Sequence, residues 1–271
     1  MLHATRELAR RVDRAEIDFC AAASRAGEPG GAASIEVGGG RGLCSSEGSP
    51  LNKVLGLGLG APVSDADLDA LEAFYDERGI PVQIELCPLA PVDVATRLAK
   101  RGYELQGFEN QLVRVMPASP LPMPERVRVS LAGGNLDARW LRVVAESFAL
   151  PDGSAADATP SAETVTLLGQ VMQQFVHPGI DRLIGWIGDE AASGGCCYVM
   201  NGVAGIAGTA TLPRHRGQGA QHALVTFALN HLIGRAELAM ATTEPGSVSQ
   251  RTFERLGFQV VYTRAIFVLP G

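Results

Sequence analysis

Thirteen residues, LPRHRGQGAQHAL at positions 212–224, gather groups suited to holding an anion. Arg214 and Arg216 carry full positive charges that can pair with phosphate oxygens. Gly217 and Gly219 lack a Cβ, so a ligand can come close to the backbone. The residues that follow have helical spacing, and the first N–H groups of a helix have no partners inside it. Those donors, with a helix dipole equivalent to about half a positive charge, attract a negative ligand. Two familiar phosphate motifs do not fit. A dinucleotide fingerprint needs a third glycine where His222 stands, and a P-loop needs a Lys followed by Ser or Thr.

The elements that must position this turn can be read from either side of it. An apolar, threonine-containing run at 203–211 predicts the strand leading in, and residues 217–233 predict the helix leading out. Upstream, residues 126–131 alternate like a strand. Residues 136–148 have helical spacing with Asn135 as a cap, and residues 161–175 form a second helix with Ser161 and Thr164 near its start. A short strand at 183–187 precedes a hairpin of 196–200 with 203–211 about Asn201–Gly202. Downstream come a buried strand at 237–242, a helix at 247–256, and strands at 258–262 and 265–269. This order predicts an α/β layer fold.

The segment MPASPLPMPE, residues 116–125, has four prolines that can neither continue a helix nor join a central strand. It predicts a division into a domain over 1–116, a linker over 117–124 and a domain over 125–271. The first half repeats the ending of the second with a fixed offset of 155 residues. RGY around Gly102 then matches LGF around Gly257, and Glu85 and Cys87 match Met240 and Thr242. At the glycine turn the repeat fails, because residues 216–220 face APVSD at 61–65. Asp65 and Asp67 suit a helix start but repel a pyrophosphate, and Asp65 is read as the helix cap. GLGLG at 56–60 reads as an alternating strand-like run.

The pattern R-x-x-G-x-G from Arg214 to Gly219, then an apolar helix, a strand and SQRTFERLGF at 249–258, resembles the GNAT superfamily of acyl-CoA-dependent N-acetyltransferases. The resemblance is specific over 180–269 and extends to the first half only through the repeat. It implies two GNAT-like units, each a mixed, mostly antiparallel sheet flanked by helices, of which the second keeps the cofactor motif. It implies acetyl-CoA as cofactor. Thr209, Ala210 and Thr211 would pair with the pantetheine arm through their backbone. Arg216, Gly217, Gln218, Gly219 and Ala220 would hold the pyrophosphate through their N–H groups. Arg214 opens the motif, and His215 and His222 are read as solvent-facing or near the adenosine end rather than catalytic. The implied reaction is direct acetyl transfer to a primary amine of a small molecule or peptide. The runner-up is a non-catalytic acyl-CoA-binding or regulatory protein, and a plain nucleotide binder is a weaker third.

Amide formation from a lysine-like amine of pKa near 10.4 requires a proton to leave, so a general base helps. Many members of the family carry a tyrosine acid on the last helix, but here Phe253 stands four residues before Gly257. By chain position Glu244, just past a strand end, is the nearest ionisable candidate base. Tyr198 and Tyr262 read as core tyrosines, and pocket-wall residues are expected within 148–177.

Bulk properties limit the partners. The chain of 271 residues has 46% apolar and 19% charged residues, an ordinary globular composition with ample length for a core. A net charge of −6 argues against nucleic acid. Five cysteines, Cys20, Cys44, Cys87, Cys196 and Cys197, include no C-x-x-C pair, so buried thiols are expected and no metal site is assigned. The charged N-terminus lacks a signal-type apolar core and no run approaches a membrane span, so a cytoplasmic protein, monomeric or homodimeric, is expected.

Overall fold

A computed structural model describes residues 2–27, 32–150 and 153–270. It is a mixed α/β structure with mostly antiparallel strand pairing and seven α-helices among the described residues. Two compact units emerge. The first comprises Met1–Val113, Thr242–Ser247 and Gln259–Gly271, and the second comprises Arg114–Ala241 and Val248–Phe258.

The first half of the chain runs α1 (Arg6–Gly27), β1 (Ala33–Val37), β2 (Gly40–Cys44), β3 (Lys53–Leu55), α2 (Asp65–Asp76), β4 (Val82–Leu86), α3 (Val92–Lys100) and β5 (Glu104–Val115). The second half runs β6 (Arg128–Leu131), α4 (Asp137–Phe148), α5 (Ala162–Gln173), β7 (Ile180–Ile187), β8 (Glu190–Met200), β9 (Val203–Thr211), α6 (Ala220–His231), β10 (Leu238–Thr243), α7 (Val248–Arg255) and β11 (Gln259–Leu269).

The 155-residue offset carries α2 onto α6 residue for residue, and α3 and β5 onto α7 and β11 to within a residue. The repeat is therefore structural. One strand departs from a simple tandem reading. The first unit's strands lie in the order β1-β2-β3-β4-β11-β5. β11, last in the chain, enters the first unit and runs antiparallel to both β4 and β5. The expected domain over 125–271 thus contributes its final strand to the other compact unit.

In the first unit, α2 buries Leu68, Leu71 and Tyr75, which lie on one helical face. They meet Val54, Ile84, Val94 and Leu98 in the core. The Tyr75 hydroxyl donates to the Leu43 carbonyl at 2.7 Å. In the second unit the strands follow the order β10-β9-β8-β7-β6. Fully buried Trp140 of α4 donates its indole N–H to the Gly195 carbonyl at 2.9 Å. A Cβ at Gly194 would lie 2.5 Å from Val144, so glycine there lets α4 approach the sheet.

Several local expectations change. The two strands expected at 258–262 and 265–269 are one, Gln259–Leu269, because β11 absorbs its irregularities as register shifts at Val260/Tyr262 and Ile266/Phe267 rather than as a turn. GLGLG is a turn, with Gly56 and Gly58 at φ +73° and +77°. Asn135 lies in a short 3₁₀ turn before α4 and does not cap it. Ser64, not Asp65, caps α2. Asn201 and Gly202 do form the hairpin turn, both at positive φ (52° and 73°). All five cysteines are buried and none is in a disulfide. No helix among the described residues is long and apolar enough to cross a membrane.

Candidate functional site

The site grows from a parting of two parallel strands. β9 and β10 pair only at Val203–Leu238, Ala204–Ala239 and Gly205–Met240. Beyond Gly205, β9 runs on to Thr211 without a partner in that register. Its other edge stays on β8, and a register shift opens as Cys196 meets Ala207 and Gly194 meets Ala210. Gly208, at φ +62°, supplies the extra residue of that bulge. Thr209, Ala210 and Thr211 thus border the parting and are half-buried.

β9 ends in a 3₁₀ turn, Pro213–His215, and the glycine turn follows. Gly217 and Gly219 adopt φ +74° and +83°, a region that L side chains rarely enter. Gly219 is the N-cap of α6 and no side chain caps the helix. A Cβ at either glycine would meet nothing within 4 Å, so packing does not require glycine there. The helix therefore begins with N–H donors that no side chain caps, the condition for an anion site. Ala220 is buried at the first turn, Gln218 is half-buried, and both remain beside that opening.

The two arginines are otherwise engaged. Arg214 pairs with Glu190, with Nε 2.8 Å from Oε1, and that hydrogen bond lowers the pKa of the Glu190 carboxyl from its ordinary value. His215 Nε2 lies 2.9 Å from the other oxygen of Glu190. Arg216 turns inward and donates to the carbonyls of Thr211 at 3.2 Å and Leu150 at 2.8 Å. It ties the end of β9 to the end of α4, a structural task that its place in the motif did not reveal. Partial burial, then the charge of Arg255, lower the pKa of His222, so the first turn gains little charge from it at neutral pH.

Sequence reasoning missed Gln221. Its amide donates to Thr209 Oγ1 at 3.1 Å and to Ser249 Oγ at 2.8 Å. One side chain of α6 thus reaches both β9 beyond the parting and the start of α7. A glutamine in a first helical turn carries no sequence signal for such a bridge.

Other expected residues fall as follows. Phe253 is buried, edge-on to Phe258 with ring centroids 5.0 Å apart, and has no proton to give. Tyr198 is buried against Gly205, where a Cβ would lie 2.0 Å from its ring. The buried Tyr262 hydroxyl donates to Asp13 at 2.7 Å in the first unit. Glu244 is exposed, in the loop after β10, and its carbonyl accepts from the Ser247 N–H at 3.3 Å. That loop groups with the first unit, whereas the glycine turn belongs to the second. An open groove of about 350 Å³ between α4 and α5 is lined by Leu141, Ala145, Val165 and Gly169 among others. Half of those four lie upstream of the expected 148–177 stretch, in which residues 151 and 152 fall outside the described residues.

Residues 156–258 match the model of the Acetyltransferase (GNAT) family. No curated protein matches the chain in sequence. Among solved structures, a GCN5-related N-acetyltransferase from Kribbella flavida superposes with a TM-score of 0.70 at 17% identity, over 97% of this chain and 96% of that one. A tandem GNAT protein from the clavulanic acid biosynthesis pathway gives 0.59 at 12% identity, over 100% and 98%. A GCN5-related N-acetyltransferase from Sphaerobacter thermophilus gives 0.54 at 15%, over 75% and 67%.

Proposed function

We propose that this chain, which carries a GNAT domain at 156–258 in a fold shared with a tandem GNAT protein, is an acetyl-CoA-dependent N-acetyltransferase acting on a primary amine of a small molecule or peptide. The observation that carries this reading is the α6 N-terminus, which no side chain caps and which opens where β9 leaves β10. Gly217, Gln218, Gly219 and Ala220 would hold a pyrophosphate through backbone N–H groups, and the free edge of Thr209–Thr211 would hold the pantetheine arm. Arg216 would keep the turn in place through its carbonyl contacts rather than touch phosphate. When bound, acetyl-CoA would supply an activated acyl group as its thioester. The protein's part is to align the amine with it and to accept the amine's proton. Glu244 is proposed as that acceptor, directly or through water. Phe253, buried and without a proton to give, would supply no acid to the leaving thiol, which a thiol of pKa near 8.5 does not strictly need.

Titrating acetyl-CoA while following thermal unfolding tests the binding half: a rise in Tm with ligand concentration is expected, and none at millimolar ligand would contradict it. Release of free thiol in the presence of an amine panel tests the catalytic half. Binding without turnover on any amine would favour a non-catalytic acyl-CoA-binding protein, the reading that the loss of a tyrosine at 253 supports.

A further inference from the structure

The most heavily charged interior of the molecule lies in the first unit, away from the glycine turn in sequence and in composition. Arg264 of β11 is wholly buried. Its guanidinium donates to Asp13 at 2.5 Å, Glu16 at 2.8 Å and Glu85 at 3.1 Å, and lies 3.7 Å from Glu109. Lys53 of β3 adds contacts of 2.9 Å to Glu16 and 3.1 Å to Glu85. Five elements thus contribute: α1 (Asp13, Glu16), β3 (Lys53), β4 (Glu85), β5 (Glu109) and β11 (Arg264). Oxygens of Glu16, Glu85 and Glu109 come within 4.8 Å of one another, near enough to share a cation. The positive charge they face is already supplied by Lys53 and Arg264.

Four acids meet two bases. Taking away one base leaves carboxylates buried without a counter-ion, a strongly unfavourable state. The strand beside β4 therefore has to bring a cation. β11 has one basic residue, Arg264. β5, the first repeat's own closing strand, has none before Arg114. At the position equivalent to Arg264 under the 155-residue offset, β5 carries Glu109. The two face each other in the β5–β11 register.

We propose that Arg264 selects which strand fills the slot between β4 and β5: β11 enters because it supplies the counter-ion the buried acids demand, and a strand like β5, carrying an acid there, is rejected. The exchange of the last strand into the first unit is thus written as a charge difference between equivalent positions of the two repeats. This use of buried charge fixes an arrangement rather than adding stability, in the way single polar core residues set register elsewhere.

Hydrogen exchange of the full chain, read by mass spectrometry, tests the selection. In Arg264→Met the amides of β4 and β11 are expected to exchange about tenfold faster or more, with those of β8 unchanged as an internal reference. Adding Asp13→Asn and Glu16→Gln, which removes the demand for a cation, is expected to restore most of the protection of β11. Unaltered protection in Arg264→Met would overturn the proposal, as would a triple variant no better protected than the single. If Arg264→Met does not fold to a soluble protein, the triple variant decides alone: soluble with β11 protected supports the selection, and equally insoluble contradicts it.

Discussion

α2 and α6 occupy the same place in two repeats and begin in opposite ways. α2 starts with Ser64, whose hydroxyl accepts from the Asp67 N–H at 3.1 Å while the Asp67 carboxylate accepts from the Ser64 N–H at 2.8 Å. The helix is closed by its own side chains, and those hydrogen bonds hold Asp67 below its ordinary pKa. α6 starts with left-handed Gly219 and no such closure. The neighbouring strands differ in the same sense. β9 leaves β10 and frees an edge, whereas the region where β3 meets β4 is taken up by Lys53, Glu85 and their buried partners. One repeat spends its helix start and its interior on structure, and the other leaves both available for a ligand.

The sharpest way to break that comparison is to move the closure. Gly219 and His222 are the equivalents of Ser64 and Asp67, so Gly219→Ser with His222→Asp would build a capping box at α6 once residue 219 turns from its left-handed φ of +83° to the extended backbone that Ser64 has. The variant should keep its fold, since a cap offsets the strain of a non-glycine residue. Its affinity for coenzyme A should fall about a hundredfold or more, because a carboxylate then claims the donors and repels phosphate. Isothermal titration reads this directly.

A second contrast concerns pH. Burial first, and then the charge of Glu85, raise Glu109 to a pKa of about 8. Burial opposes ionisation of Glu16 as well, but Arg264 and Lys53 outweigh it and hold that pKa at about 2. A carboxyl raised in the folded state stabilises it below its unfolded pKa, and that contribution is lost as pH climbs through about 8. Chemical denaturation should therefore show the first unit weakening as pH rises from the ordinary glutamate range to about 8, and levelling off above it, by on the order of 2 kcal/mol once solvent screening is allowed for. Glu109→Gln should flatten that decline. Glu16 works in the other direction, its contribution lost only as pH falls towards about 2.

Two smaller effects complete the series. Ser64→Ala removes the α2 cap and should lower stability by about 1 kcal/mol in denaturant titrations, with ligand affinity unchanged. Gln221→Ala removes the bridge from α6 to Thr209 and Ser249. If coenzyme A has to displace that bridge, its Kd should tighten by about threefold, a shift that competition titration can resolve.

The strand, glycine turn and helix of the second unit were legible because glycine spacing and helix polarity are local. Gly217, Gly219 and the strand before them could be read as a cradle without a partner in view. The repeat was legible too, since the helix-ending Gly102 and Gly257 keep their offset through α3, α7, β5 and β11. What stayed hidden depends on distant neighbours. Nothing near Arg264 in the chain announces that Asp13, 251 positions away, accepts its hydrogen bond. The destination of β11 was hidden for the same reason. Arg214 and Arg216 showed their charge in the sequence, but not that Glu190 and the Leu150 carbonyl lie within reach of their side chains. A base for the amine's proton has no local signature at all, so Glu244 rests on chain position.

The claim that one repeat binds and the other does not is tested most directly by the stoichiometry of coenzyme A binding. Titration of the full chain should give one site per chain, lost in the variant carrying Gly219→Ser and His222→Asp. Two sites per chain, or undiminished binding in that variant, would contradict the account.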